Sequence, residues 1–266
     1  MLNLTDQIKI QHNFQNIPQR IVSLVPSQTE LLFDLGLEKS IVAITKFCVH
    51  PAHFLKEKIK VGGTKNPNFK KIKTLNPDII ICNKEENSKK IIEECSKICS
   101  VWTTNIITIE DNFQMISDFG QIFNVELKAE ILNKQLAFAL SDFNSFIQEK
   151  LITKVAYFIW KNPYMVVGSN NYINEILRLN KFENIFENND YVSNRYPEIL
   201  IENLENENLD LIFLSSEPYP FKEKDKIDIH KYSKAEIKIV DGEMFSWHGS
   251  RLLLALDYFK KLHENL

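Results

Sequence analysis

Glycine is scarce in this chain, with seven in 266 residues, and arginine is scarcer. Arg20, Arg178, Arg195 and Arg251 are the only four among 32 basic residues. The first shortage excludes glycine-rich phosphate cradles: no P-loop, dinucleotide fingerprint or G-x-S-x-G elbow is present, and "VGGTKNP" is too short to serve as one. The second counts against a strongly anionic ligand, which arginine forks hold best. No apolar run approaches the roughly 20 residues of a membrane-spanning helix. The first 20 residues lack the apolar core and cleavage site of a secretory signal. Two readings follow: a cytoplasmic chain, which is favoured, or a periplasmic one whose signal has been removed. Cys48, Cys82, Cys95 and Cys99 suit neither a disulfide framework nor a four-ligand zinc site. They read as free thiols and lean toward a reducing compartment. A net charge of −3 gives no bulk attraction to nucleic acid or an anionic membrane.

What the chain does hold is alternation. "RIVSLV", "SIVAIT", "PDIIIC" and "SVWTT" read as short buried strands. Helical stretches separate them, the first opened by a Ser27–Glu30 capping box. From about Ile109 to Leu151 the strand signals stop, and residues 125–151 carry neither Gly nor Pro. The alternation then resumes with "KVAYFIW", "LDLIFLS" and "EIKIV". The expected layout is α/β: two Rossmann-like lobes with parallel sheets, residues 1–124 and 152–266, joined by one stiff helix over 125–151. Ligands of such sheets sit beyond the carboxyl ends of the strands. Ser27 and Gln28, Phe47, Thr64 and Lys65, and Asn83 take those places in the first lobe. Trp160 and Tyr196 take them in the second, along with the segment "DGEMFSWHGSRLLLAL" after the last strand.

"IPQRIVSLVPSQTELLFDLGL", "VGGTKNPNFKKIKTLNPDIII" and "VVGSNNYINEILRLNKFENIF" together resemble the signature blocks of the class III, helical-backbone substrate-binding proteins of ABC importers. The resemblance runs from about residue 5 to the C-terminus and is strongest to the cobalamin-binding branch. It implies a non-enzymatic monomer that clamps a small molecule in a cleft between its lobes. The ligand is a corrinoid such as cobalamin, and no catalytic cofactor is called for. By matching positions, Phe47, Trp160, Tyr196, Phe245 and Trp247 supply flat aromatic walls. Arg251 and Glu243 fall where the branch has an arginine and an acid. Thr64 and Asn83 stand where the first lobe of the branch carries tryptophans, which leaves room for a differently shaped ligand.

The plainer readings stand beside these. Trp160 precedes an exposed "KNP" turn, which favours contact over packing. Phe245 and Trp247 alternate about Ser246, so one of them can plug the lobe. Arg251 either anchors a ligand edge or pairs with a nearby acid such as Asp257. His248 reads as a structural histidine unless a metal site, with His50 as its partner, proves otherwise. His12, His53, His230 and His263 show no ligand spacing, so no metal is expected. Iron-siderophore, haem or metal ion is the alternative cargo. An α/β enzyme acting on a bound corrinoid through Glu243, His248 and Cys48 is the alternative of another class. The resemblance also implies docking on an ABC permease through one acid at the tip of each lobe. Glu202 keeps the second-lobe acid, but Lys70 replaces the first, which makes that partner doubtful. The expectation that follows is a cytoplasmic carrier or sensor whose gene starts at or near Met1.

Overall fold

A computed structural model describes residues 2–187 and 195–266, apart from the side chain of Asn206. Met1 and residues 188–194 lie outside the described residues. Contacts divide the chain into two units, Met1–Phe138 with Trp247–Leu253, and Ala139–Ser246 with Leu254–Leu266. This division differs from the three expected segments in one consequential way. The stretch holding Trp247, His248 and Arg251 belongs with the first unit.

The first unit opens with an antiparallel hairpin of β1 (Leu2–Thr5) and β2 (Gln11–Phe14), which no pattern in the first 20 residues announced. Buried Asp6 closes its turn, accepting from the backbone N–H groups of Ile8 and Ile10 at 3.1 and 2.8 Å. The main elements follow in βα order: β3 (Ile21–Ser23), α1 (Pro26–Asp34), β4 (Ile41–Ile44), α2 (Phe54–Glu57), β5 (Ile59–Lys60) and α3 (Phe69–Thr74). After them come β6 (Ile79–Asn83), α4 (Lys89–Ser96), β7 (Ser100–Thr104) and α5 (Ile109–Phe123). The sheet is wholly parallel in the order β5-β4-β3-β6-β7. Val22, Ala43, Ile80 and Val101 on its strands pack with Ile72 of α3 and Ile91 of α4. Ile21, Ile79, Ile81 and Trp102, which alternate with these on the opposite face, are buried as well, and burial on both faces explains why the strands read as continuous apolar runs.

The expected capping box at α1 is not formed. Val25 is the N-cap, Pro26 occupies the first turn, and no side chain caps the helix. Pro supplies the needed φ and lacks an N–H to satisfy, which frees Glu30 for another partner. A capping box does open α5, between Thr108 and Asp111.

The long helix α6 (Glu126–Ile147) has 22 residues, about 33 Å at 1.5 Å per residue. It is shorter than the expected 125–151. The second unit contains β8 (Thr153–Trp160), β9 (Tyr164–Val166), α7 (Tyr172–Leu179), β10 (Phe182–Asn184) and β11 (Glu198–Ile199). It continues through β12 (Leu211–Ser215), α8 (Glu223–Ile229), β13 (Glu236–Val240), α9 (Gly242–Ser246) and most of α10 (Leu252–Glu264). Its sheet is mixed rather than parallel. β10 and β12 pair parallel with β8 and β13 pairs parallel with β12, while β9 is antiparallel to β8 and β11 to β9. The "KNP" turn makes the difference, because Asn162 adopts φ 64° and sends the chain straight back along β8.

Candidate functional site

At the carboxyl end of the first sheet, a hydrogen-bond network fixes the loops. Gln28 Nε2 donates to Thr104 Oγ1 at 2.5 Å, and Asn83 Nδ2 donates to the same oxygen at 3.0 Å. Asn83 Oδ1 accepts from the N–H groups of Glu85 and Glu86, and Asn87 Nδ2 ties this turn to the Thr64 carbonyl at 2.9 Å. Gln28, Thr64 and Asn83 are all buried. Asn83 therefore builds the turn rather than offering its amide, and Thr104, which the sequence reading missed, is the hub. Ser27 is also buried. Lys65 is exposed, with Nζ on the Glu85 carbonyl at 2.6 Å. Phe47 is different: it is 49 % exposed, with the Lys46 ammonium 4.9 Å from its centroid.

Residues 247–251 lie against α1. Gly249, at φ +93°, packs so close that an added Cβ would sit 3.2 Å from Leu31 Cβ. Its N–H donates to Asn112 Oδ1 at 2.5 Å, and its carbonyl accepts from Asn112 Nδ2 at 3.3 Å. Ser250 Oγ donates to Asp34. Arg251 forms a fork on Glu30, Nε to Oε2 at 2.9 Å and Nη2 to Oε1 at 2.7 Å. The acid partner is thus Glu30, not Asp257. Burial raises the carboxyls of Glu30 and Asp34, with Arg251 pulling both back down. Trp247 is buried, with the Arg251 guanidinium 5.0 Å from its centroid and the His50 ring edge-on at 5.4 Å. It is packed more than it is presented.

In the second unit Phe245 is fully buried, with ring centroids of Tyr157 at 5.0 Å, Phe213 at 5.7 Å and Phe259 at 4.9 Å. It is the plug, and its expected ligand-facing role is corrected accordingly. Gly242 is demanded by crowding, because a Cβ there would lie 2.3 Å from Ser215 Oγ and 3.1 Å from the Glu217 nitrogen. Ser246 Oγ donates to Glu217 Oε1 at 2.6 Å. Glu243 is half-buried in the first turn of α9, its N–H on Asp241 Oδ1 at 3.0 Å. Tyr196 is half-buried in its loop. Trp160 ends β8 at 39 % exposure, its ring edge against Tyr219 at 5.8 Å. Next to it Lys161 bridges Asp225 and Asp228 at 2.7 and 3.1 Å, which stiffens the turn below the indole.

Burial pushes the His248 imidazole down to about 3. The folded chain keeps it neutral, whereas the unfolded chain protonates it near its ordinary 6.5. Its contribution to stability is complete above pH 6.5 and is lost as pH falls from there toward 3, at up to about 1.4 kcal/mol per unit. His263, lowered to about 4 by burial and then by Lys150, acts in the same sense. The raised Glu30, Asp34 and Asp118 act in the opposite one. Replacing His248 by Phe isolates the term. Between pH 6.5 and 4, urea unfolding of H248F should lose about 2–3 kcal/mol less than the parent; parallel curves would contradict this burial.

Among the described residues, one group of three ligand-type side chains converges. Glu38, His53 and Glu57 bring their ligand atoms within 4.8 Å of one another, which the spacing of His53 did not suggest. Exposed Lys56 and half-buried Lys58, whose Nζ rests on the Glu38 carbonyl at 2.6 Å, share that corner. Neither His50 nor His248 belongs to the group. The cysteines are free; burial raises Cys48 and lifts Cys99 to about 12, and Cys82 is raised chiefly by its bond with Cys95.

A parallel sheet in one unit and a mixed one in the other, each interleaved with helices, define an α/β protein of two such units. The chain belongs to the periplasmic binding protein family, whose model matches residues 21–236. It is 28% identical over 188 residues to the vitamin B12-binding protein of Vibrio vulnificus (strain CMCP6), an alignment covering 69% of this chain and 66% of that one. The aligned part thus spans just under two thirds of that relative. Its fold matches the periplasmic vitamin B12 binding protein BtuF of Vibrio cholerae with a TM-score of 0.78 at 18% identity, covering 94% and 99% of the two chains. It also matches a periplasmic heme binding protein of Pseudomonas aeruginosa with a TM-score of 0.79 at 19% identity, covering 92% of each. These relatives are named for binding vitamin B12 or heme, two of them as periplasmic proteins. The favoured cytoplasmic placement finds no support among them.

Proposed function

We propose that this chain is a non-enzymatic receptor for a corrinoid, recognised by exposed aromatic rings at the carboxyl ends of its strands. The observation that carries the reading is the exposure of Phe47 and Trp160, two large rings at strand ends that no core claims. A corrinoid is a broad, partly apolar disc edged with amides, and it suits flat rings with polar neighbours. Haem and ferric siderophores bring anionic edges, for which Arg251 is already spent on Glu30. The curated relative named for vitamin B12 supports the same ligand class. Ser27, Thr64, Lys65, Tyr196 and Glu243 complete the proposed contact set, with Trp247 and His248 behind it.

Titration with cobinamide should quench tryptophan fluorescence. Trp160→Ala should weaken binding by about 1–3 kcal/mol through loss of a stacked face. An unchanged affinity in W160A would remove the indole from the site. Of the two docking positions, Glu202 and Lys70 are both exposed. A lysine facing a permease arginine is repulsive, so the proposal favours a carrier or sensor over a docked importer receptor.

A further inference from the structure

Residues 40–77 contain eight lysines and no arginine, against a single acid, Glu57. The whole-chain charge of −3 conceals this concentration. The stretch builds one margin of the first sheet: β5 is its edge strand, with α2 before it and α3 after it. Lys46, Lys56, Lys70, Lys71 and Lys73 are exposed and Lys60 is half-buried. α3 buries only Ile72 and turns its three lysines outward. Aliphatic side chains are exposed among them: Ile59 at 41 % and Leu55 at 37 %.

Lysines on an edge strand block strand-to-strand association, which accounts for Lys60. It does not account for Lys70, Lys71 and Lys73 on a helix, nor for Leu55 and Ile59 left in water. Specific protein interfaces are enriched in Arg and depleted in Lys. Nucleic-acid phosphates draw lysine as readily as a bilayer does, but aliphatic side chains exposed among the lysines gain nothing from a phosphate backbone. Lysines alone, interleaved with exposed aliphatics, suit a diffuse anionic plane into which short apolar side chains can dip. We propose that the α2–β5–α3 margin docks on an anionic lipid bilayer. The docking rests on the lysines and is independent of the cargo.

The test is co-sedimentation of the full chain with vesicles of phosphatidylcholine alone or with about 30 % phosphatidylglycerol, at about 0.1 M salt. Partitioning to the anionic vesicles should exceed that to the neutral ones at least tenfold and should collapse at about 0.5 M salt. Each surface lysine is worth roughly a factor of five. K70E/K71E/K73E should therefore lower partitioning by more than tenfold, whereas K89E/K90E on α4 should stay within about twofold of the parent. Circular dichroism and urea unfolding check that both variants are folded. Equal binding to neutral vesicles, no binding to anionic ones, or equal losses in the two variants would overturn the proposal. Displacement of the vesicles by duplex DNA at matched charge would replace the bilayer with a nonspecific polyanion site.

Discussion

Arg251→Ala should destabilise the chain by about 3–5 kcal/mol, the usual result of breaking a buried ion pair by removing one partner. The guanidinium is 5 % exposed and the carboxylate of Glu30 13 %, so little water can replace the lost fork. Two effects add. The Glu30 carboxyl, already pushed up by burial, is left without its cation. The Trp247 ring also loses the charge above its face, a contact worth about 0.5–2 kcal/mol. Replacing both partners together as E30M/R251M should recover most of the loss, because well-packed apolar pairs rival buried ion pairs. Urea unfolding of the three variants measures both halves. A loss below about 1 kcal/mol in R251A would mean that the arginine is not committed to α1 and is available to a ligand.

Phe245→Ala should cost about 3–5 kcal/mol, the range for deleting a buried aromatic. Its ring is fully buried among Tyr157, Phe213, Tyr258 and Phe259, which cannot collapse together over a gap of that size. At temperatures where the variant stays folded, corrinoid affinity should change by less than about threefold. A large affinity loss with little change in stability would return Phe245 to the binding surface. The pair Phe245 and Trp247 shows how one residue of spacing matters. Two rings flanking Ser246 end in different units, the first in the aromatic core of one and the second against α1 of the other.

The strands of the first sheet were legible because burial on both faces writes them as unbroken apolar runs, and the helices because Gly and Pro punctuate them. The second sheet was read as wholly parallel, since β9 and β11 are short and nothing in "YMV" announces its direction. The N-terminal hairpin escaped because its order comes from one buried carboxylate. Besides its own turn, Asp6 reaches His12 Nε2 at 3.2 Å and, 97 residues along the chain, the Thr103 N–H at 3.3 Å, a contact no local pattern announces. For the candidate site the sequence offered only a list of strand ends, and two residues on that list, Phe47 and Trp160, are exposed. The return of 247–253 to the first unit was not. Glu30, Asp34 and Asn112 hold that stretch across as many as 221 residues of sequence. Glu30 and Asp34 do lie one helical turn apart, a spacing able to receive Ser250 and Arg251, but only the fold supplies the match. Asn83 was misjudged for a related reason: an amide at a strand end can serve a ligand or its own turn, and here Glu85 and Glu86 claim it.

The central claim is that the cargo is a corrinoid, and isothermal calorimetry with cobinamide and haem run in parallel on the same preparation tests it most directly. The account predicts one site per chain for cobinamide, weakened by Trp160→Ala, and no saturable heat for haem. Saturable haem binding beside a flat cobinamide trace would contradict it.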